Sequence, residues 1–330
     1  MNNQTDNFKL ISCVSLKKIK GMKYYAIILI LFSFQLLTAQ VKSAEKSIDP
    51  RITPADWAVL EEQEDTMGIF SYATLHDTTE LNRMASCKLL ITKLVSALKI
   101  ENSFYYPFSQ LKTVSIQYPP DSSFRIFTWQ LFVNDNEYRY YGAIQMNNKE
   151  LKLIPLIDRS MNIKEPESEI VGNDKWYGGI YYRILPFETP VGTKYLLFGY
   201  DAFEFWFKRK FIDVLSFDSA GKASFGAPVF VKNTPEESWT KNRFVMEYSA
   251  ESSVTLNYAN NMDLIVFDNL EEIPSNNPEN GGMLRVPDGT YDAFELKNGV
   301  WTVISNLPNQ VLEEAPRPMP VLNGKDLNGN

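Results

Sequence analysis

Histidine and cysteine are almost absent from this sequence: one imidazole and two thiols in 330 residues. A single histidine cannot build a histidine-rich zinc site and two cysteines cannot supply four thiolates, so structural zinc is all but excluded by counting. Basic charge is also short, with 33 Lys and Arg against 40 Asp and Glu. That balance provides no broad basic face for nucleic acid or for an anionic membrane surface. Glycine-rich phosphate loops, a G-x-S-x-G elbow and an H-E-x-x-H helix are missing too, and no residue pattern implies a cofactor. What is present is a 44% hydrophobic, 13% aromatic composition, enough to bury a sizeable core.

The first segment reads as a targeting signal. Lys17, Lys18, Lys20 and Lys23 precede an apolar run from Ala26 to Leu37, and Leu37-Thr38-Ala39-Gln40 follows with a small residue ahead of a polar one. The pattern predicts a secretory signal peptide over 1–39, with Met22 as an alternative start. The twelve residues of this run at about 1.5 Å each span roughly 18 Å, short of the ~30 Å of a bilayer core, so cleavage is expected rather than anchoring. The expected mature chain carries 28 basic and 39 acidic residues, a net −11. Cys87 is then its only thiol and an internal disulfide is impossible. The expected destination is the periplasm, the cell surface or the medium, for a mature form that does not span the membrane.

Residues 40–51 read as a linker. Thr53-Pro54-Ala55-Asp56 then supplies a cap, a proline at the first helical position and an acid three residues after the cap, which predicts a helix start. Gly68 argues against that helix running unbroken to Leu75. Asp77 and Glu80 repeat the cap pattern, and Leu81, Met84, Cys87, Ile91, Leu94 and Leu98 recur at helical spacing. Residues 52–101 are therefore expected to form an α-helical hairpin.

Beyond Phe104 the period shifts to two and turn residues recur every eight to twelve positions. Thirteen strands are expected between Lys112 and Ile304, among them Ser123–Val133, Lys194–Asp201, Lys210–Phe217, Ala223–Val231, Leu264–Phe267 and Thr290–Leu296. With no helical crossovers between them, an antiparallel meander is expected over 102–306, packed with the hairpin as one module. Four segments share an aromatic strand, a turn and an aliphatic strand ending in Asp or Asn, closing at Asp158, Asp218, Asp268 and Asn306. Their irregular spacing suits either a small degenerate propeller or a β-sandwich. The segment 307–330, rich in Pro, Asn and Gly, reads as a tail.

The chain resembles an uncharacterised family of exported bacterial proteins with no assigned activity, through Phe127-Thr128-Trp129-Gln130, Tyr140-Tyr141-Gly142-Ala143-Ile144-Gln145, Lys194-Tyr195-Leu196-Leu197-Phe198-Gly199-Tyr200 and Val286-Pro287-Asp288-Gly289-Thr290-Tyr291-Asp292. The resemblance implies export and one continuous module. It carries no catalytic residue across.

Carboxylates are the only plentiful catalytic groups. Asp201 and Glu204 stand in an aromatic stretch with Tyr200, Phe203 and Trp206, whose faces suit sugar rings, and two carboxylates of different protonation suffice for glycoside hydrolysis. The competing reading is a hairpin loop whose aromatics pack down while Asp201 and Glu204 face water beside Lys208, Arg209 and Lys210. Asp158, Asp218 and Asp268 end equivalent strands. In a propeller they would gather into a Ca²⁺ site, whereas as turn residues they would bond local amides. His76 reads as a solvated loop residue, Cys87 as a small buried hydrophobe, and Gly178-Gly179 as an isolated turn. The expected function is a non-catalytic binding or scaffold module of the cell envelope, holding a protein or a glycan; the alternative is a carboxylate-dependent glycan hydrolase.

Overall fold

The computed structural model of the chain describes residues 48–235, 237–277 and 281–307. The signal segment 1–39, the Met22 start, most of the linker and the tail from 308 onward lie outside them. Among the described residues two helices come first. Helix α1 (Pro54–His76) starts where the sequence says: the Thr53 hydroxyl oxygen accepts from the Asp56 amide at 3.1 Å, with Pro54 in the first turn. It runs unbroken through Gly68, where a side chain would meet open space, so the glycine costs only its ~1 kcal/mol of propensity. Helix α2 (Glu80–Leu98) is capped by Thr79, not Asp77; Asp77 instead accepts from the Thr79 amide and the Asn82 side chain.

The buried face of α2 holds Arg83, Cys87, Leu90, Leu94, Ala97 and Leu98. Leu81, expected on that face, is 77% exposed. The face turns because Arg83 points inward, donating to the carbonyls of Phe132, Val133 and Asp77 at 2.6–2.8 Å.

Sheet 1 follows in sequence order, with β1 (Ser115–Gln117), β2 (Phe124–Asn134), β3 (Glu137–Met146) and β4 (Leu153–Ile157), all antiparallel. Sheet 2 contains β5 (Val171–Gly172), β6 (Ile180–Thr189), β7 (Gly192–Asp201), β8 (Phe207–Phe217) and β9 (Ala223–Phe225) in the order β5-β9-β8-β7-β6. The expected strand Ala223–Val231 is thus split, its second half becoming β10 (Phe230–Asn233), which pairs with β11 (Ser238–Lys241). Strand β12 (Phe244–Ser249) returns to sheet 2 and pairs with β8. Sheet 3 is completed by β13 (Leu256–Ala259), β14 (Leu264–Pro274), β15 (Met283–Lys297) and β16 (Val300–Ile304), in the order β11-β10-β16-β15-β14-β13. Its β10–β16 pair is parallel, the one departure from the antiparallel expectation among the named strand pairs.

Both faces of the middle strands are buried. Phe127, Trp129 and Leu131 of β2 pack with Leu60, Met67, Cys87 and Leu94 of the helices. Phe124 and Ile126, on the other face, pack with Tyr195, Leu197, Phe211 and Leu215 of sheet 2. Leu196, Phe198, Ile212 and Val214 then face Ile265, Phe267, Phe294 and Trp301 of sheet 3. The order of contact is therefore helices, sheet 1, sheet 2, sheet 3, all within the compact unit from Pro50 onward. Cover on both faces accounts for the consecutive buried residues within β2, β7 and β8. Among the described residues no helix is long and apolar enough to cross a membrane.

Candidate functional site

The β7–β8 hairpin carries the aromatic loop. Asp201 ends β7 opposite Arg209 of β8, and its carboxylate is only 4% exposed, contrary to the expectation that it faces water. Its Oδ1 accepts from the Tyr140 hydroxyl at 2.8 Å and from the Phe203 amide at 2.8 Å. The same hydroxyl accepts from the Ala202 amide at 2.7 Å. These bonds hold Phe203 at φ +47°, a left-handed conformation that a bulky residue rarely adopts. Lys208 completes the clamp, donating to the carbonyls of Ala202 and Glu204 at 2.9 and 2.6 Å. Arg209 stacks on the Phe203 ring with Cζ 3.3 Å from its centroid and donates twice to Glu247 Oε2. Lys210 donates to the Val254 carbonyl.

Tyr140 joins two of the candidate acids. Its hydroxyl binds Asp201, and its backbone amide donates to Asp158 Oδ2 at 3.0 Å. Burial pushes the Asp201 carboxyl above its ordinary range, against the pull of the bonds from Tyr140 and Phe203. Burial, and then the Asp201 charge, drive Tyr140 well above the usual phenol value, so it stays a hydrogen-bond donor.

Two adjoining clefts open beside this pair. One, ≈ 440 Å³, runs along β3 and the turn after β4, between Tyr138, Arg139, Asp158, Arg159 and Met161. The other, ≈ 300 Å³, lies between Asn136, Tyr138, Ile163, Phe203 and Glu204, with Asp201 in its wall. Tyr138, Tyr140 and Met161 belong to both, and Met161 is 85% exposed. Arg209 separates the second cleft from a third, ≈ 430 Å³, whose lining includes Glu165, Glu167, Glu247 and Arg285.

Of the predicted loop residues, Asp201, Phe203 and Glu204 line the site, whereas Tyr200 and Trp206 do not. Tyr200 is held in the ladder between Ile180 and Lys210, and Trp206 packs edge-on against Phe205 at 4.7 Å. Tyr138 and Tyr140 are site residues that the sequence reading missed, because their convergence on the loop depends on sheet 1 meeting sheet 2; Arg209, expected at a water-facing loop beside Asp201 and Glu204, stacks on Phe203 instead.

The aspartate ring is not formed. Asp158 and Asp218 follow β4 and β8, whereas Asp268, expected to close a strand, lies inside β14 at its bulge; the three belong to three different sheets, and among the described residues no three His, Cys, Asp or Glu side chains gather to hold a metal ion. Each carboxylate serves nearby backbone instead: Asp158 accepts from the Tyr140 and Ser160 amides, Asp218 from those of Ala220 and Lys222, Asp268 from that of Thr255. His76 is not a loop residue but the last residue of α1, exposed and with its ring tilted against Tyr72 at 4.2 Å between centroids, and Cys87 is buried. Gly178-Gly179 is no simple turn. A Cβ on Gly178 would lie 2.5 Å from Asp158 Oδ1, and one on Gly179 2.5 Å from the Phe211 ring, so both glycines are close-approach positions. Comparison with protein-family models, with curated proteins and with solved structures yields no match for this chain.

Proposed function

We propose that the chain is a non-catalytic binding module of the bacterial cell envelope, holding a protein or a glycan in the paired clefts along β3. The observation that carries this reading is how Asp201 is employed. Its carboxylate is buried and bonded to Tyr140 and Phe203, shaping the loop, while the groups left at the cleft surface are those of a recognition face: Tyr138, Phe203, Met161, Asn136 and Glu204. Isothermal titration of the full chain against cell-wall glycans and envelope proteins tests it. At least one ligand should bind and lose affinity on Phe203→Ala; binding untouched by both Phe203→Ala and Tyr138→Ala would place the site elsewhere.

A second reading, glycan hydrolysis, is favoured by one feature: burial raises the Asp201 carboxyl in the same cleft as Glu204, as a general acid requires. It demands turnover of some glycan that Asp201→Asn and Glu204→Gln both abolish. Export to the periplasm or surface belongs to the same proposal, supported by the lysines and apolar run before Ala39, as does kinship with exported bacterial proteins of unassigned activity. For the sheets we favour an open sandwich stack over a closed propeller, because the helical hairpin covers the outer face of sheet 1 where a last blade would have to pack.

A further inference from the structure

We propose that the open edge of β3 between Glu137 and Tyr140 receives an extended peptide of a partner protein as an added strand. This rests on the reading of the clefts as a binding site and names the class of its ligand. Strand β2 accompanies one edge of β3 from Glu137 to Met146, whereas β4 accompanies the other only from Tyr141 to Gln145. Backbone N–H and C=O groups point to opposite edges at alternate residues. The Met146 amide donates to the Lys152 carbonyl at 3.0 Å and the Tyr140 amide to Asp158 Oδ2 at 3.0 Å, both on the β4 side. Even-numbered residues of β3 therefore address that side, and Tyr138 is the next of them. Its N–H and C=O, with the Tyr140 carbonyl, face the track that β4 has left.

Asp158 vacates the track. Its Oδ2 takes the Tyr140 amide where a continuing strand would present a carbonyl, and its Oδ1 receives the Ser160 amide and hydroxyl at 2.9 and 2.7 Å, turning the chain aside into Ser160–Asn162. The ≈ 440 Å³ cleft occupies that track. A donor and acceptors at strand spacing are matched by another extended backbone, whereas sugar hydroxyls carry no such period. On the sheet 2 side, a peptide side chain opposite Tyr138 enters the smaller cleft, where Tyr138, Ile163 and Phe203 stand beside Asn136 and Glu204.

Random dodecapeptides displayed on phage, selected on the full chain, supply the probe. Tyr138→Pro removes the amide directed away from β2 and leaves that ladder intact, the setting in which an edge proline is tolerated. Tyr138→Ala removes the ring and keeps the amide. A selected peptide should bind the proline variant about tenfold more weakly than the alanine variant, the loss of roughly one hydrogen bond, and should slow Tyr138 amide exchange in the wild type. Equal binding to both variants, or unchanged exchange at Tyr138, overturns the proposal; the exchange measurement decides alone if Tyr138→Pro does not fold. Glycan binding lost on Phe203→Ala, with no peptide selected, overturns the peptide and leaves the binding cleft standing. No ligand of either kind overturns both.

Discussion

At Asp201 a carboxylate is spent on geometry. Replacement by Asn retains an oxygen for the Tyr140 hydroxyl and the Phe203 amide, whereas Ala strands both donors, at about 1–3 kcal/mol for each buried group left unsatisfied. The folded-state pKa lies above the unfolded value, so the stability this group contributes is complete below pH 3.8 and is lost as pH rises through its folded pKa. Urea unfolding should therefore show Asp201→Asn gaining on the wild type as pH climbs from acid to neutral, with Asp201→Ala the least stable at pH 7; a gap independent of pH would contradict the burial assigned to this acid. A second residue-scale device is the fully buried pair Arg243–Asp213, 3.0 Å apart. It sits where the outer edge of β8 passes from β12, paired over Phe207–Ile212, to β9, paired over Leu215–Phe217. Arg243→Met should cost about 3–5 kcal/mol by leaving the Asp213 charge uncompensated, and adding Asp213→Leu should recover most of it. A double-mutant cycle in urea measures that coupling, and additive losses would deny it. None of these partnerships was legible in the sequence. Arg83, Arg125 and Arg243 look like surface residues until backbone carbonyls or a carboxylate from other segments arrive beside them.

Elements were more legible than their contacts. The Thr53-Pro54 start marks α1 because capping is local chemistry, and the β3–β4, β7–β8, β13–β14 and β15–β16 hairpins appear where paired amphipathic runs predicted them. Strands β5 and β11 escaped notice because two and four residues carry too little pattern. The rotation of α2 escaped because only tertiary packing draws Arg83 inward. Leu94, 2% exposed between α2 and sheet 1, should cost about 2–5 kcal/mol on replacement by Ala in equilibrium unfolding; a loss well below that would detach the hairpin from the core. In sheet 2, Gly199 lets β7 pass the Phe211 ring, since an added Cβ would lie 2.3 Å from its atoms. Gly199→Ala should lose about 1–3 kcal/mol, partly restored by Phe211→Leu in the same chain. No rescue would mean that the strain lies in the backbone instead.

Across the whole molecule, layering creates the site. Sheet 1 against sheet 2 brings Tyr140 to Asp201 across 61 positions of sequence, and β4 turning away at Asp158 leaves the cleft beside them. The sequence could nominate Asp201, Phe203 and Glu204, which lie within four residues of one another, but not the β3 residues opposite, because no local signal records which sheet faces which. The most direct measurement is a thermal-shift comparison of the wild-type full chain with Phe203→Ala, using cell-wall glycans and phage-selected peptides, since a ligand bound only by the native state raises the midpoint. The account predicts that at least one of these ligands raises the wild-type midpoint and leaves that of Phe203→Ala unmoved. A flat panel for both proteins, or equal rises in both, would contradict it.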